Sequence, residues 1–125
     1  MDELLEIGGT RVLSYAKEGL LLARETDIND LLGAAFSSEV DLLAIPVERL
    51  GPDFLKLSTG LAGAAFQKMV NYHLKCAIVG DIAEALAHSG PLRDFVRETN
   101  KGNSIWFVPD FQTLKAKLQR QAGAA

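Results

Sequence analysis

The sequence predicts a single α/β domain with a mixed, mostly parallel five-stranded sheet, and three observations carry that prediction. Short apolar runs at 40–45, 75–79 and 104–108 alternate with longer segments whose apolar residues recur at helical spacing. Each run stops at turn-forming residues: Pro46, Gly80-Asp81 and Pro109-Asp110. The chain also opens on two β-prone runs separated by Gly8-Gly9, two residues able to take the positive φ of a tight hairpin turn. The resulting order is ββαβαβαβα, in which right-handed crossovers make the later strands parallel and the hairpin makes the sheet mixed.

Taken in order, Leu4–Ile7 and Thr10–Tyr15 form the hairpin. A first helix is expected to start at Thr26 or Asp27, whose side chains can cap it, with Ile28, Leu31, Leu32, Ala35 and Phe36 facing inward. Val40–Ile45 is the first buried strand, followed by a loop over Val47–Pro52. The longest helical pattern runs from Phe54 to Tyr72, with Leu61, Ala62, Ala65, Phe66, Met69 and Val70 on one face. Gly60 and Gly63 weaken that helix by roughly 1 kcal/mol each relative to alanine, so close approach of another backbone is expected there. Lys75–Val79 is the second buried strand. Ser89-Gly90-Pro91 leads into a helix with Leu92, Phe95, Val96 and Thr99 inward, ended by Asn100-Lys101-Gly102. Ser104–Val108 is the last strand and carries the single tryptophan, Trp106. Pro109-Asp110 then opens a final helix with Phe111, Leu114 and Leu118 inward. The domain is expected to span 1–120, with 121–125 as an untethered tail.

The composition narrows the function classes. A chain of 125 residues that is 48 % apolar and 23 % charged suits one folded domain. Its net charge of −3 offers no basic field for a nucleic-acid backbone. No stretch approaches the ~20 apolar residues of a membrane span, and the acidic start Met1-Asp2-Glu3 does not read as a signal peptide. Cytoplasm is the expected location. One cysteine, Cys76, excludes a disulfide framework and is expected to be buried in its strand. His73 and His88 are isolated from spaced carboxylates or thiols, so no metal site is expected, nor is a cofactor. No Gly-x-Gly-x-x-Gly or Walker pattern occurs. No carboxylate pair has a spacing that singles it out for acid–base work.

The candidate surface follows from topology. Ligands of open α/β sheets sit off the carboxyl ends of the strands. That edge collects Glu48 and Arg49 after one strand, Gly80 and Asp81 after the next, and Pro109 and Asp110 after the last, with Ser58, Thr59 and Arg93 at helix starts. Each also has a structural reading: Asp81 and Asp110 as caps, Arg93 as partner of a neighbouring acid, Ser58 and Thr59 as a plain helix cap. A phosphate at Ser58-Thr59 would meet free backbone N–H groups and add about −1.5 to −2 charges, so the same pair could act as a phosphoswitch.

Three stretches resemble a bacterial family catalogued as domain of unknown function 4180. They are Thr59-Gly60-Leu61-Ala62-Gly63 with Gln67-Lys68, then Asn71-Tyr72 with Ala77-Ile78-Val79-Gly80-Asp81, then Leu92-Arg93-Asp94-Phe95 with Glu98, Asn100 and Gly102 running into Phe107-Val108-Pro109. The resemblance covers the C-terminal two thirds of the chain. Ala64 stands where that family often has an acid. The resemblance carries no assigned activity. The element order is also similar to that of STAS domains of anti-sigma-factor antagonists and sulphate transporters. Their phosphorylated Asp-Ser-Ser/Thr-Gly-Leu motif resembles Leu57-Ser58-Thr59-Gly60-Leu61, with Leu57 in place of the acid. That resemblance implies a regulatory or protein-interaction module with a protein partner or self-association. The alternatives are a small-ligand-binding domain at the same strand ends and, last, a small enzyme.

Overall fold

The computed structural model describes residues 2–123. The elements are β1 (Glu3–Ile7), β2 (Thr10–Ser14), α1 (Glu25–Ser38), β3 (Leu42–Pro46), α2 (Leu61–Asn71), β4 (Lys75–Val79), α3 (Ala83–Ala87), α4 (Gly90–Lys101), β5 (Ile105–Val108) and α5 (Phe111–Gly123). The five strands form one sheet in the order β1-β2-β3-β4-β5. β1 is antiparallel to β2 and the remaining pairs are parallel. The α/β class, the mixed sheet and the hairpin are as the sequence predicts.

The hairpin follows from two glycines. Gly8 and Gly9 take φ 57° and 81°, the pair of positive values that a two-residue type I′ turn requires. Gly8 has a second constraint, because a Cβ there would lie 2.7 Å from the Leu118 carbonyl oxygen. The turn is thus pressed against α5.

Side-chain alternation in the strands divides the core in two. One face presents Leu13, Leu43, Ile45, Cys76, Ile78, Ile105 and Phe107 to α1, α2 and α4. The other presents Ile7, Val12, Leu42, Ala44, Ala77, Trp106 and Val108 to Leu114 and Leu118 of α5. Each crossover steps one strand further in the same direction, so right-handed connections place α1, α2 and α4 on one face. Among the described residues no polar or charged residue is buried as a whole, although the hydroxyl oxygen of half-buried Tyr15 is. Trp106 keeps its indole N–H satisfied by the Gly102 carbonyl at 2.7 Å, and Lys117 lies 4.7 Å over its ring.

Four elements differ from the sequence expectation. Helix α1 begins at Glu25, and Asp27 serves it from the third position, accepting the N–H groups of Ala23 and Arg24. The long helical pattern holds only from Leu61. Ahead of it the chain folds into turns that bury Phe54 edge-to-face on Phe66 at 5.8 Å, and Gly60 at φ 73° separates these turns from α2. Neither Gly60 nor Gly63 admits a close backbone, since a Cβ at either would meet open space; Gly60 is there for its positive φ instead. Phe36 and Val70, placed inward by periodicity, are 47 % and 42 % exposed. They sit at the margins of their helical faces, and Phe36 packs edge-to-face on exposed Tyr72. A fifth helix, α3, occupies the expected loop after β4. At the C-terminus α5 takes in residues 121–123 of the expected tail. Ala124 and Ala125 lie outside the described residues.

Candidate functional site

The strand order contains no reversal, so the sheet has no switch-point crevice of the kind that receives ligands in doubly wound folds. A cleft forms at the carboxyl end all the same, because the chain leaves β3 and β4 by long routes that diverge. After Pro46 the chain makes a single 3₁₀ turn over Val47–Arg49, and Leu50 then joins Leu22 in an isolated parallel bridge. After Val79 it turns at Gly80 into α3. Gly80 has φ 143°, and a Cβ there would collide with a Val47 methyl carbon. Only glycine lets the two exits pass this closely.

Between these exits lies a cleft of about 650 Å³ lined by Val47, Leu50, Gly51, Pro52, Leu55, Lys56, Asp81, Ile82, Glu84, Ala85, His88, Ser89 and Leu92. The volume falls within the ~300–1,000 Å³ of ordinary ligand pockets. The wall is aliphatic, with polar groups among it. Lys56 faces Asp53 at 3.4 Å. Ser89 caps α4 by accepting the Leu92 N–H at 3.2 Å. A smaller hollow of about 260 Å³ lies between α3, α4 and the end of β5.

The structure separates the residues singled out from the sequence. Asp81 lines the cleft and also caps α3, its Oδ1 accepting the Ala83 N–H at 2.8 Å. Among the described residues Arg93 has no acidic partner; its Nη1 donates to the Leu86 carbonyl at 2.6 Å, tying α4 to α3. Arg49 faces away from the cleft wall and staples the loop after β2. Its Nε donates to Leu20 O at 2.8 Å and its Nη1 to Ala16 O at 3.1 Å, and its guanidinium lies 5.8 Å over the Tyr15 ring. Gly19 makes room for it, since a Cβ there would come within 2.7 Å of the guanidinium carbon. Glu48 is exposed and 3.9 Å from Lys17. Asp110 caps α5, accepting both the N–H and the hydroxyl of Thr113 at 2.7 and 2.8 Å. Those two bonds hold its carboxyl below the usual aspartate range.

Ser58 and Thr59 lie in a 3₁₀ turn, Leu57–Thr59, ahead of the Gly60 cap. The Thr59 hydroxyl is engaged locally. It lies 3.0 and 2.8 Å from the Asp53 and Lys56 carbonyls and accepts the Leu61 N–H at 3.3 Å. Ser58 is exposed. Cys76 is completely buried, and burial pushes its thiol well above the ordinary range. No cluster of three His, Cys, Asp or Glu side chains suited to a metal ion exists among the described residues. No helix of the described residues is long and apolar enough to cross a membrane.

Sequence reasoning missed most of the cleft wall: Leu50, Leu55, Lys56, Ile82, Glu84, Ala85 and His88. The available signal was the length of the segments after β3 and β4, whose residues must collect at the strand ends.

The family described as Domain of unknown function (DUF4180) matches residues 7–118. The chain belongs to that family. No curated protein matches it, and no solved structure does.

Proposed function

We propose that the protein is a non-catalytic binding module whose cleft between the β3 exit and α3 takes a small molecule with an apolar body. The carrying observation is the cleft itself. It has the volume of a ligand pocket, an aliphatic wall of Val47, Leu50, Leu55, Ile82 and Leu92, and a few polar groups to orient a guest. The chemistry-bearing groups elsewhere are spent on structure: Arg49 and Arg93 on carbonyls, Asp110 on a helix cap, Cys76 in the core. Native mass spectrometry of the protein purified without denaturation from its source cells tests the reading. A stoichiometric small-molecule adduct that Leu55→Glu eliminates without lowering the melting temperature is the expected result. An adduct-free protein, with no melting shift across a library of amphipathic small molecules, would sink it.

A second reading, a STAS-like regulatory module with a protein partner, draws on Ser58. The residue is exposed on a turn beside Lys56 at the cleft rim, whereas the Thr59 hydroxyl is engaged with backbone. Phosphorylation at Ser58 would add about −1.5 to −2 charges there. Intact-mass detection of a phosphate at Ser58, together with partner capture that changes in Ser58→Asp, supports this version. Its absence under every growth condition, with unchanged capture, removes it.

A further inference from the structure

We propose that α3 is a lid on the cleft, latched by Arg93, which swings into the hollow behind it when a ligand enters; this deepens the reading of the cleft as a binding site and rests on it. Helix α3 spans only Ala83–Ala87 and none of its residues is buried. A helix of five residues is not stable in water by itself, so its position depends on the half-buried contacts of Ala85 and Leu86 with the core and on what holds its ends.

Cavities lie on both sides of it. Ala85 lines the cleft of about 650 Å³, and Ala83 and Leu86 line the hollow of about 260 Å³. Packed elements resist displacement because their side chains would collide with neighbours. Helix α3 instead has open space on the side away from the cleft. The wall beyond that space is fixed, since Asn100 and Phe107 are joined by two hydrogen bonds.

The ends suit a hinge. Gly80, at φ 143°, leads into the segment, and Ser89-Gly90 leaves it at the start of α4. The Asp81 cap on Ala83 is internal to the segment and can travel with it. The bond from Arg93 to the Leu86 carbonyl is different. It joins α3 to α4, which is anchored by buried Leu92 and Val96, and it must break if α3 moves. Leu86 also receives the Ser89 N–H, at a longer 3.4 Å.

Hydrogen exchange read by mass spectrometry on the full chain tests the lid, with 1-anilinonaphthalene-8-sulfonate as the probe. Arg93→Met keeps the aliphatic stem and removes the donors. It is expected to speed exchange over 83–88 by about five- to tenfold, the equivalent of one net hydrogen bond, while α2 and α4 exchange as before. Dye binding to the unmodified chain is expected to speed exchange over the same segment. Leu55→Glu, on the opposite wall, is expected to abolish both dye binding and that change; Ala85→Trp serves if Leu55→Glu melts early. Dye that binds in a Leu55-dependent manner with no change over 83–88, and an Arg93→Met segment that exchanges as before, would overturn the lid and leave the cleft reading intact. Dye that fails to bind, or binds regardless of Leu55→Glu and Ala85→Trp, overturns the cleft reading and the lid with it.

Discussion

The side-chain amide of Asn100 holds both backbone groups of Phe107. Its Oδ1 accepts the Phe107 N–H at 2.7 Å and its Nδ2 donates to the Phe107 carbonyl at 3.3 Å. β5 is the last strand of the sheet, so these groups face the side on which no further strand lies. Asn100 thereby imitates one residue of a neighbouring strand. Free strand edges invite pairing with other chains, and this one is closed by a helix residue. Asn100→Ala is expected to lose about 1–3 kcal/mol, because it strands a half-buried donor and acceptor. It should also make the protein self-associate at high concentration. Urea melts and sedimentation measure the two effects, and an unchanged variant in both would refute the role.

Tyr15 and Cys76 are expected to weaken the fold in alkali. Burial chiefly raises the Tyr15 hydroxyl, with Asp2 and Cys76 adding to it and Arg49 opposing, and burial alone raises the Cys76 thiol. A raised value means the unfolded chain loses its proton first. The stability contribution is therefore complete below the ordinary thiol and phenol values, roughly 8.5 and 10, and is lost as pH rises beyond them. Tyr15→Phe should flatten the fall above pH ~10. Near neutral pH the same variant should be more stable by about 1 kcal/mol, because the Tyr15 hydroxyl oxygen is buried without a hydrogen-bond partner among the described residues. Urea midpoints at neutral and alkaline pH give both readings.

Asp110 acts at the acid end. Its backbone bond to Thr113, then its bond to the Thr113 hydroxyl, lower its carboxyl. A lowered value stabilises the fold above the ordinary aspartate range and ceases to do so as pH falls through the folded value. Asp110→Ala should therefore be less stable than the parent at pH 7, and the two should converge in acid. A gap that stays constant with pH would show that the cap works without its charge.

Two helices end on residues in the left-handed region that glycine occupies freely. Glu39, after α1, has φ 54°, and His73, after α2, has φ 60°. Beyond His73 the Leu74 N–H returns to the Met69 carbonyl at 2.8 Å, as in a Schellman close. Removing the Cβ relieves about 1–2 kcal/mol of local strain and is partly offset by the greater freedom of the unfolded chain. Glu39→Gly and His73→Gly are each expected to stabilise by about 0.5–1 kcal/mol, additively, in thermal melts.

Strands and core were legible in the sequence because apolar runs such as Leu42–Ile45 and Cys76–Ile78 have no reading except burial on both faces of a sheet. The start of α2 was not legible. Phe54 and Leu57 continue the helical period, yet they lie in turns that the positive φ of Gly60 separates from α2. The end of α3's loop was hidden for the opposite reason: Ala83–Ala87 is too short to show a period and buries nothing. At the site, Asp81 could be placed from the strand ends alone. The duties of Arg49 and Arg93 could not, since both bind carbonyls of distant or irregular backbone that no spacing rule encodes.

Order in space repeats order along the chain: each strand is laid against the one made just before it. A nascent chain could therefore assemble by accretion, every unit finding its template already exposed, with short loop closures throughout. Helix α5 is the exception. Starting beyond β5, it runs back to the hairpin, where the Leu118 carbonyl lies against Gly8. It clasps the end of this domain to its beginning, and the α5 face of the sheet stays open to water until α5 itself has been made.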